Sequence, residues 1–264
     1  MRAVEIVKAW RPSEGFENGR TQLVHAGVYA VPRDLPDDLA RRAIAAGAAV
    51  VAEARPAVGI QPRWPDETVI VAAPGPSLTP DVAERCRGNR VIAVQDAYRI
   101  FPWADVLYGC DAAWWDVHGG CSDFAGEKWS SHGSADHNDK REAAAKYGLH
   151  LVQGKDGNGF STDPAVIHYG SNSGFQAVNL AILFGAGRIV LVGFNMQVVD
   201  GKRHFFGDHP KPLSNRTSYR AFVSAFEKAA KSLPAGVEII NATPQSALKC
   251  FRSVDLDRAL SDSA

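Results

Sequence analysis

Val69-Ile70-Val71-Ala72-Ala73-Pro74-Gly75-Pro76-Ser77-Leu78 is an apolar run that breaks at a Pro-Gly-Pro-Ser turn. A short continuous apolar run bounded by turn residues reads as a strand buried on both faces. The turn after it has its own logic. Gly75 lets another backbone approach closely, Pro74 and Pro76 stiffen the chain, and Ser77 or Thr79 can cap a following helix. Exposed N–H groups at such a helix start suit an anion, so Gly75, Pro76 and Ser77 are expected to floor a nucleotide-type phosphate site. The spacing is neither Gly-x-Gly-x-x-Gly nor a P-loop, since no Gly-Lys-Ser/Thr follows. The same residues would also serve as a rigid turn with no ligand.

Outward from this turn, short apolar strands alternate with helices. Leu78 to Cys86 reads as a helix, and Arg90–Val94 and Asp105–Tyr108 as strands. Ala112 to Val117 reads as a helix, Gly119 to Asn138 as a loop rich in Gly, Ser and His, Asp139 to Tyr147 as a helix, and His150 to Gln153 as a strand. Ser173 to Phe184 is apolar on nearly every face, as a buried helix is, and Arg188–Val192 is again a strand. Thr217 to Leu233 is amphipathic, and Val237 to Asn241 is the last strand. This alternation predicts an α/β fold, a Rossmann-like and mostly parallel sheet with helices on both faces. Residues 1–55 read as a small N-terminal α+β module: a strand over 21–31, a turn at 32–36, a helix over 36–46 and a strand over 48–52. The module is similar to short ones in phage-encoded proteins. Three prolines in 55–66 mark residues 56–67 as a linker. The main domain then runs over 68–264.

The composition narrows the partners. Of the 264 residues, 29 are Lys or Arg and 29 are Asp or Glu, so formal net charge is zero. That argues against bulk coating of nucleic acid, which needs a basic excess. Met1 to Trp10 does not read as a secretory signal, and no apolar run approaches the roughly 20 residues of a membrane span. The expected location is the cytoplasm, and a homo-oligomer is compatible with the sequence. Cys86, Cys110, Cys121 and Cys250 form no C-x-x-C pair. In Cys110, Cys121, His132 and His137 the gap between cysteines is far wider than in zinc fingers, so no metal site is assigned.

In open α/β sheets, ligands bind beyond the carboxyl ends of the strands. Two further segments are expected beside the Gly75 turn. Gly170-Ser171-Asn172-Ser173-Gly174 precedes the buried helix, where Ser173 and Gly174 offer a hydroxyl and bare amides to an anion; Ser173 could equally be a plain N-cap. After Arg188–Val192 comes Gly193-Phe194-Asn195-Met196, then Gly201-Lys202-Arg203-His204-Phe205-Phe206-Gly207-Asp208-His209. A histidine in this long loop could serve as a general base. Asp96, Asp105 and Asp111 stand at or near strand ends, where they could hold Mg²⁺ for a nucleotide or simply cap and form ion pairs.

At this point the residues carry a resemblance. The run from Val69 to Leu78 resembles the opening strand and turn of family-42 bacterial sialyltransferases. It also resembles the MptE-like family, which groups 6-hydroxymethylpterin diphosphokinases with the central domain of motility accessory factor glycosyltransferases. Ser173-Gly174, Ala181, Gly185, Ile189, Leu191 and Gly193 are similar to the helix–strand unit after the sialyltransferase donor loop. His204-Phe205-Phe206-Gly207-Asp208-His209 resembles the region carrying that family's catalytic base. The resemblance implies a nucleotide-sugar donor, CMP-linked in the sialyltransferases, on Gly75, Ser77, Ser173 and Gly174, with His209 as base and His204 second. Gln95 or Asp96 falls where the sialyltransferases use an asparagine on the nucleotide, and Gly109-Cys110 where they use another. Asn195 stands in the Gly-x-Asp segment as Gly193-Phe194-Asn195. Ala104 to Asp111 looks more like the Pro-Asp-(apolar)-Asp stretch of the MptE-like family, which implies an ATP- and Mg²⁺-dependent diphosphokinase using Asp96 and Asp111. A non-catalytic nucleotide-binding module is the third reading.

Overall fold

The computed structural model describes residues 2–6, 10, 27–31, 37–52, 59–133, 140–214 and 218–261. They fall into two compact units, one within residues 1–58 and one within 59–261. In the smaller, β1 (Arg2–Ile6) pairs antiparallel with both β2 (Gly27–Val31) and β3 (Ala49–Ala52). α1 (Asp37–Ala45) joins them, and Leu39, Ala40 and Ala43 pack with Ile6 and Ala49 as its core. The sequence reading missed β1. The expected turn at 32–36 and strand residues 21–26 lie outside the described residues.

The larger unit begins at Gly59. From there, part of the segment read as a linker is packed structure: Ile60 and Trp64 are buried in the core, and Arg63 and Trp64 both donate backbone N–H groups to the Phe184 carbonyl. Burial of Trp64 edge-on against Phe184, with Arg63 over the same ring, explains why Pro62 and Pro65 do not mark a free tether.

Nine strands form one sheet, and every neighbouring pair is parallel. They are β4 (Thr68–Ala72), β5 (Arg90–Val94), β6 (Val106–Tyr108), β7 (Glu127–His132), β8 (His150–Lys155), β9 (Val166–His168), β10 (Arg188–Val192), β11 (Glu238–Asn241) and β12 (Arg252–Ser253). Their order is β12-β11-β10-β4-β5-β6-β7-β8-β9. The chain therefore builds outward from β4 to β9, returns to the other side of β4 as β10, and builds outward again. The switch point lies between β4 and β10.

The helices are α2 (Pro80–Arg85), α3 (Ala112–Val117), α4 (Arg141–Tyr147), α5 (Ser173–Leu183), α6 (Tyr219–Ala230) and α7 (Leu256–Ser261). Strand β4 shows why the sheet has two covered faces. Val69 and Val71 join one core with residues of α5 and α6, while Ile70 and Ala72 join the opposite core with residues of α2, α3 and α7. All four are fully buried, and each branched aliphatic contributes about 1.5–3 kcal/mol by leaving water. All eleven residues of α5 are buried. Its two polar stitches compensate their own burial. Gln176 accepts from Tyr108 and Ser131, and Asn179 exchanges bonds with Ser161 while accepting from the His168 amide.

The α/β reading of the sequence holds, with three strands of the sheet missed. Glu127–His132 lies inside the segment read as a loop, yet it is a strand paired to β6 and β8. Its polar composition hides it. Ser130 and Ser131 are buried, and the Ser131 hydroxyl is satisfied by Gln176. The three-residue strand β9 and the edge strand β12 were also too short for a periodicity signal.

Candidate functional site

A cavity of about 110 Å³ opens at the switch point, beyond the carboxyl ends of β4 and β10. Five chain segments far apart in sequence line it: Ala73–Gly75, Val94–Gln95, Asn172–Gly174, the loop after β10 with Gly193, Arg203 and His204, and the start of α6.

The turn after β4 is clamped to the turn after β10. A Cβ on Gly75 would lie 2.1 Å from the Gly193 carbonyl oxygen and 2.5 Å from Asn195 Oδ1, so only glycine fits. Gly193 has φ +71°, and a Cβ there would meet the Ala73 carbonyl at 2.0 Å. The amide of Gly75 donates to Gly193 O at 3.0 Å, and Leu78 N donates to Gly75 O at 3.0 Å. Ser77 donates through both its amide (3.1 Å) and its hydroxyl (2.8 Å) to Asn195 Oδ1, while Asn195 Nδ2 donates to Pro244 O at 3.0 Å. Pro74 and Pro76 have no N–H to give. The exposed amides expected between Ala73 and Leu78 are therefore absent: every N–H in that stretch is spent inside the clamp, and Ser77 and buried Asn195 act as its bolt. Gly75 lines the cavity, whereas Pro76, Ser77 and Asn195 do not.

The first turn of α5 carries the donors instead. Asn172, not Ser173, is its N-cap, accepting from Phe175 N at 2.8 Å. The amides of Ser173 and Gly174 precede the first intrahelical bond and stand at the positive end of a buried helix. Ser173 Oγ accepts from the Cys110 amide at 3.2 Å and lies 2.9 Å from Cys110 Sγ, which fixes the hydroxyl.

Gln95 lines the cavity from the turn after β5, with φ +46°, and its Nε2 donates to Asp111 Oδ2 at 3.1 Å. Asp96, one residue on, does not line the cavity. Its carboxylate is buried, accepts from Trp114 Nε1 at 2.8 Å, and lies 3.6–3.7 Å from Arg99, His118 and His209. Neither Asp96 nor Asp111 is a lining residue. Asp105, at the opposite end of its strand, accepts from the Val91 amide and pairs with Arg90. Trp114 and Trp115 are core residues, and Trp129 stacks on His150.

Two histidines approach from the loop after β10. His204 lines the cavity, with Nδ1 3.1 Å from the Gly207 carbonyl. A carbonyl oxygen only accepts, so Nδ1 carries the proton and Nε2 is the ring's basic nitrogen. Burial, reinforced by neighbouring His209, holds the imidazole of His204 below its usual pKa, so it is neutral at pH 7. Phe206 stacks on it at 5.0 Å, and the Phe205 amide ties the loop to Pro74 O at 3.1 Å. His209 lies behind, its ring 4.6 Å from that of His204 and its Nδ1 turned towards Asp96.

Asn172, Tyr219 and Phe222 were not anticipated as lining residues. The first had a legible signal, a capping residue before Ser-Gly. The two aromatics sit on α6, where the sequence shows only an apolar stripe. His137 lies outside the described residues; among those described, no cluster of three His, Cys, Asp or Glu side chains could hold a metal ion. No helix among them is long and apolar enough to cross a membrane.

The sheet order and the cavity together define a doubly wound α/β protein with its cleft at the switch point, where such folds take ligands. The fold is similar to that of the MAf glycosyltransferase from Magnetospirillum magneticum AMB-1, with a TM-score of 0.52 and 11% sequence identity over 78% of this chain. The likeness covers 38% of that glycosyltransferase, so this chain spans well under half its length. No family model matches the chain, and no curated protein matches it in sequence.

Proposed function

We propose that this chain is a nucleotide-sugar-dependent glycosyltransferase of the motility-accessory-factor and sialyltransferase-like kind, with His204 as its general base. The observation that carries the reading is one cavity lined at once by the clamped Gly75 turn, the first turn of α5 and a neutral His204. The fold neighbour, a MAf glycosyltransferase, supports the same class.

In this reading the acceptor hydroxyl gives its proton to His204 Nε2 as its oxygen bonds to the anomeric carbon. The bond from that carbon to the donor phosphate breaks, and the electron pair leaves with the phosphate oxygen. The developing charge rests on the amides of Ser173 and Gly174, with Arg203 on the same cavity wall. His204 rather than His209 takes the base role because His204 lines the cavity and His209 does not, and the Gly207 carbonyl holds the His204 Nδ1–H so that Nε2 is the basic nitrogen. The diphosphokinase alternative draws on Asp96 and Asp111 for Mg²⁺. Asp96 is buried against Trp114 and two imidazoles, and Asp111 accepts from Gln95, so both carboxylates are engaged elsewhere.

A thermal-shift screen of CMP, UDP, GDP and ATP derivatives, with and without Mg²⁺, identifies the nucleotide. A donor screen follows with the stabilising class. Loss of sugar transfer in His204→Ala is expected; transfer retained by the His204→Ala, His209→Ala double variant sinks the assignment of the base.

A further inference from the structure

Asp96 is a buried carboxylate that three elements converge on. It stands in the turn after β5, directly after the cavity residue Gln95. Trp114 Nε1 from α3 donates to its Oδ2 at 2.8 Å. His118, at the end of α3, and Arg99, one turn on, face Oδ1 at 3.7 and 3.6 Å. His209 from the loop after β10 faces Oδ2 at 3.7 Å. The Asp96 side chain is 1% exposed, while those of His118 and His209 are 15% and 11% exposed. A buried carboxylate is expensive without partners that donate or carry charge. Here those partners are the aromatic and imidazole groups that frame the loop carrying His204.

We infer that Asp96 is a positioning residue for His204, acting through His209: the carboxylate draws the His209 end of the loop against the turn after β5, and the His209 ring sets the place and field of the His204 imidazole. Three contacts support the linkage. The two histidine rings are 4.6 Å apart, Phe206 touches both, and Arg99, which pairs with Asp96, lies over the rings of Phe205 and Phe206. The charged groups acting on His204 are Asp96 from the turn after β5 and His209 and Asp208 from its own loop. Arg203 is paired to Asp208, and Arg99 and His118 complete the surroundings of Asp96. Asp96 favours the protonated His204 and His209 opposes it, so the pair adjusts the same proton from opposite directions. The inference rests on the transferase reading only in calling His204 the base; the linkage itself is a property of the folded chain.

The test uses the full chain with labelled histidine and follows the His204 Cε1–H resonance against pH. Asp96→Asn keeps the shape and can still accept from Trp114, yet removes the charge. Its expected effect is a His204 midpoint displaced to lower pH, since a favourable opposite charge is lost. An unchanged midpoint in a folded Asp96→Asn protein overturns the inference. The second approach comes from the loop side. His209→Asn should raise hydrogen exchange at the Phe205 amide roughly tenfold, as an opened loop does; wild-type protection there overturns it equally. With the donor found, Asp96→Asn should lower kcat while KM stays within about twofold. If His204→Gln leaves transfer intact while Asp96→Asn still moves the His204 midpoint, the assignment of His204 as base fails and the positioning stands. The opposite pattern keeps the base and removes Asp96 from it.

Discussion

Replacing Asn195 with alanine should open the switch point, and the structure sets the size of the effect. The side chain is 1% exposed and makes three hydrogen bonds, two accepted from Ser77 and one donated to Pro244 O. Truncation loses all three and leaves the Ser77 amide and the Pro244 carbonyl without that partner. At about 1 kcal/mol net per bond, with a further penalty for groups left dry, the loss should be about 3–4 kcal/mol. Ser77→Ala removes only the hydroxyl bond and should cost about 1 kcal/mol. The two changes strike the same bond, so they should not add: Ser77→Ala in an Asn195→Ala background should cost close to nothing, a coupling of about 1 kcal/mol. Urea unfolding of the four proteins, followed by the fluorescence of buried Trp114 and Trp115, measures this as midpoint shifts at constant slope. Thermal-shift titration with the nucleotide found in the screen should show weaker binding in Asn195→Ala, because the cavity wall at Gly75 is released. Full additivity of the two substitutions, or an Asn195→Ala protein as stable as the parent, would refute the clamp.

Gly75→Ala is expected to cost roughly 3 kcal/mol or more, since its Cβ would meet backbone carbonyl rather than a movable side chain; calorimetry checks this, with Gly88→Ala as a contrast in which only φ is strained. The kcat/KM profile should have its acid limb below 6.5, because burial and His209 hold His204 under that ordinary value, and His204→Gln should lower kcat roughly 10²- to 10⁴-fold. His118 and His204 both have depressed values on folding, through burial first. Well above pH 6.5 they impose no pH dependence; as pH falls through it, the unfolded chain takes up protons before the folded one does, so stability should decline, and denaturation between pH 7.5 and 5.5 measures the slope. Burial pushes the thiols of Cys86 and Cys110 to about 12 and those of Cys121 and Cys250 to about 11. At pH 8 roughly one thiol in a thousand or fewer is then ionised, so a disulfide reagent should titrate the native chain slowly and all four cysteines promptly in denaturant.

The fold class was legible because burial on both faces leaves a plain mark, runs of aliphatic residues at 69–72, 91–94 and 189–192 with turn residues at their ends. The strands that escaped, β7 and β9, are polar or very short; their places are decided by partners on α5, Gln176 lying 45 residues from Ser131 of β7 and Asn179 lying 11 from His168 of β9. The same division runs through the site. Sequence alone marked three segments that line the cavity, since Gly75, Ser173 and His204 each carry a local chemical signature. Tertiary structure alone decided which donors and acceptors each one has left to offer. Whether an amide is a free donor or already spent depends on Gly193 and Asn195, 118 residues from the turn they bind. Likewise, the nitrogen through which a histidine can act depends on which carbonyl or carboxylate the loop brings to its other side. Local propensity records the conformation a residue favours, whereas hydrogen-bond capacity is consumed by whichever neighbour the fold supplies.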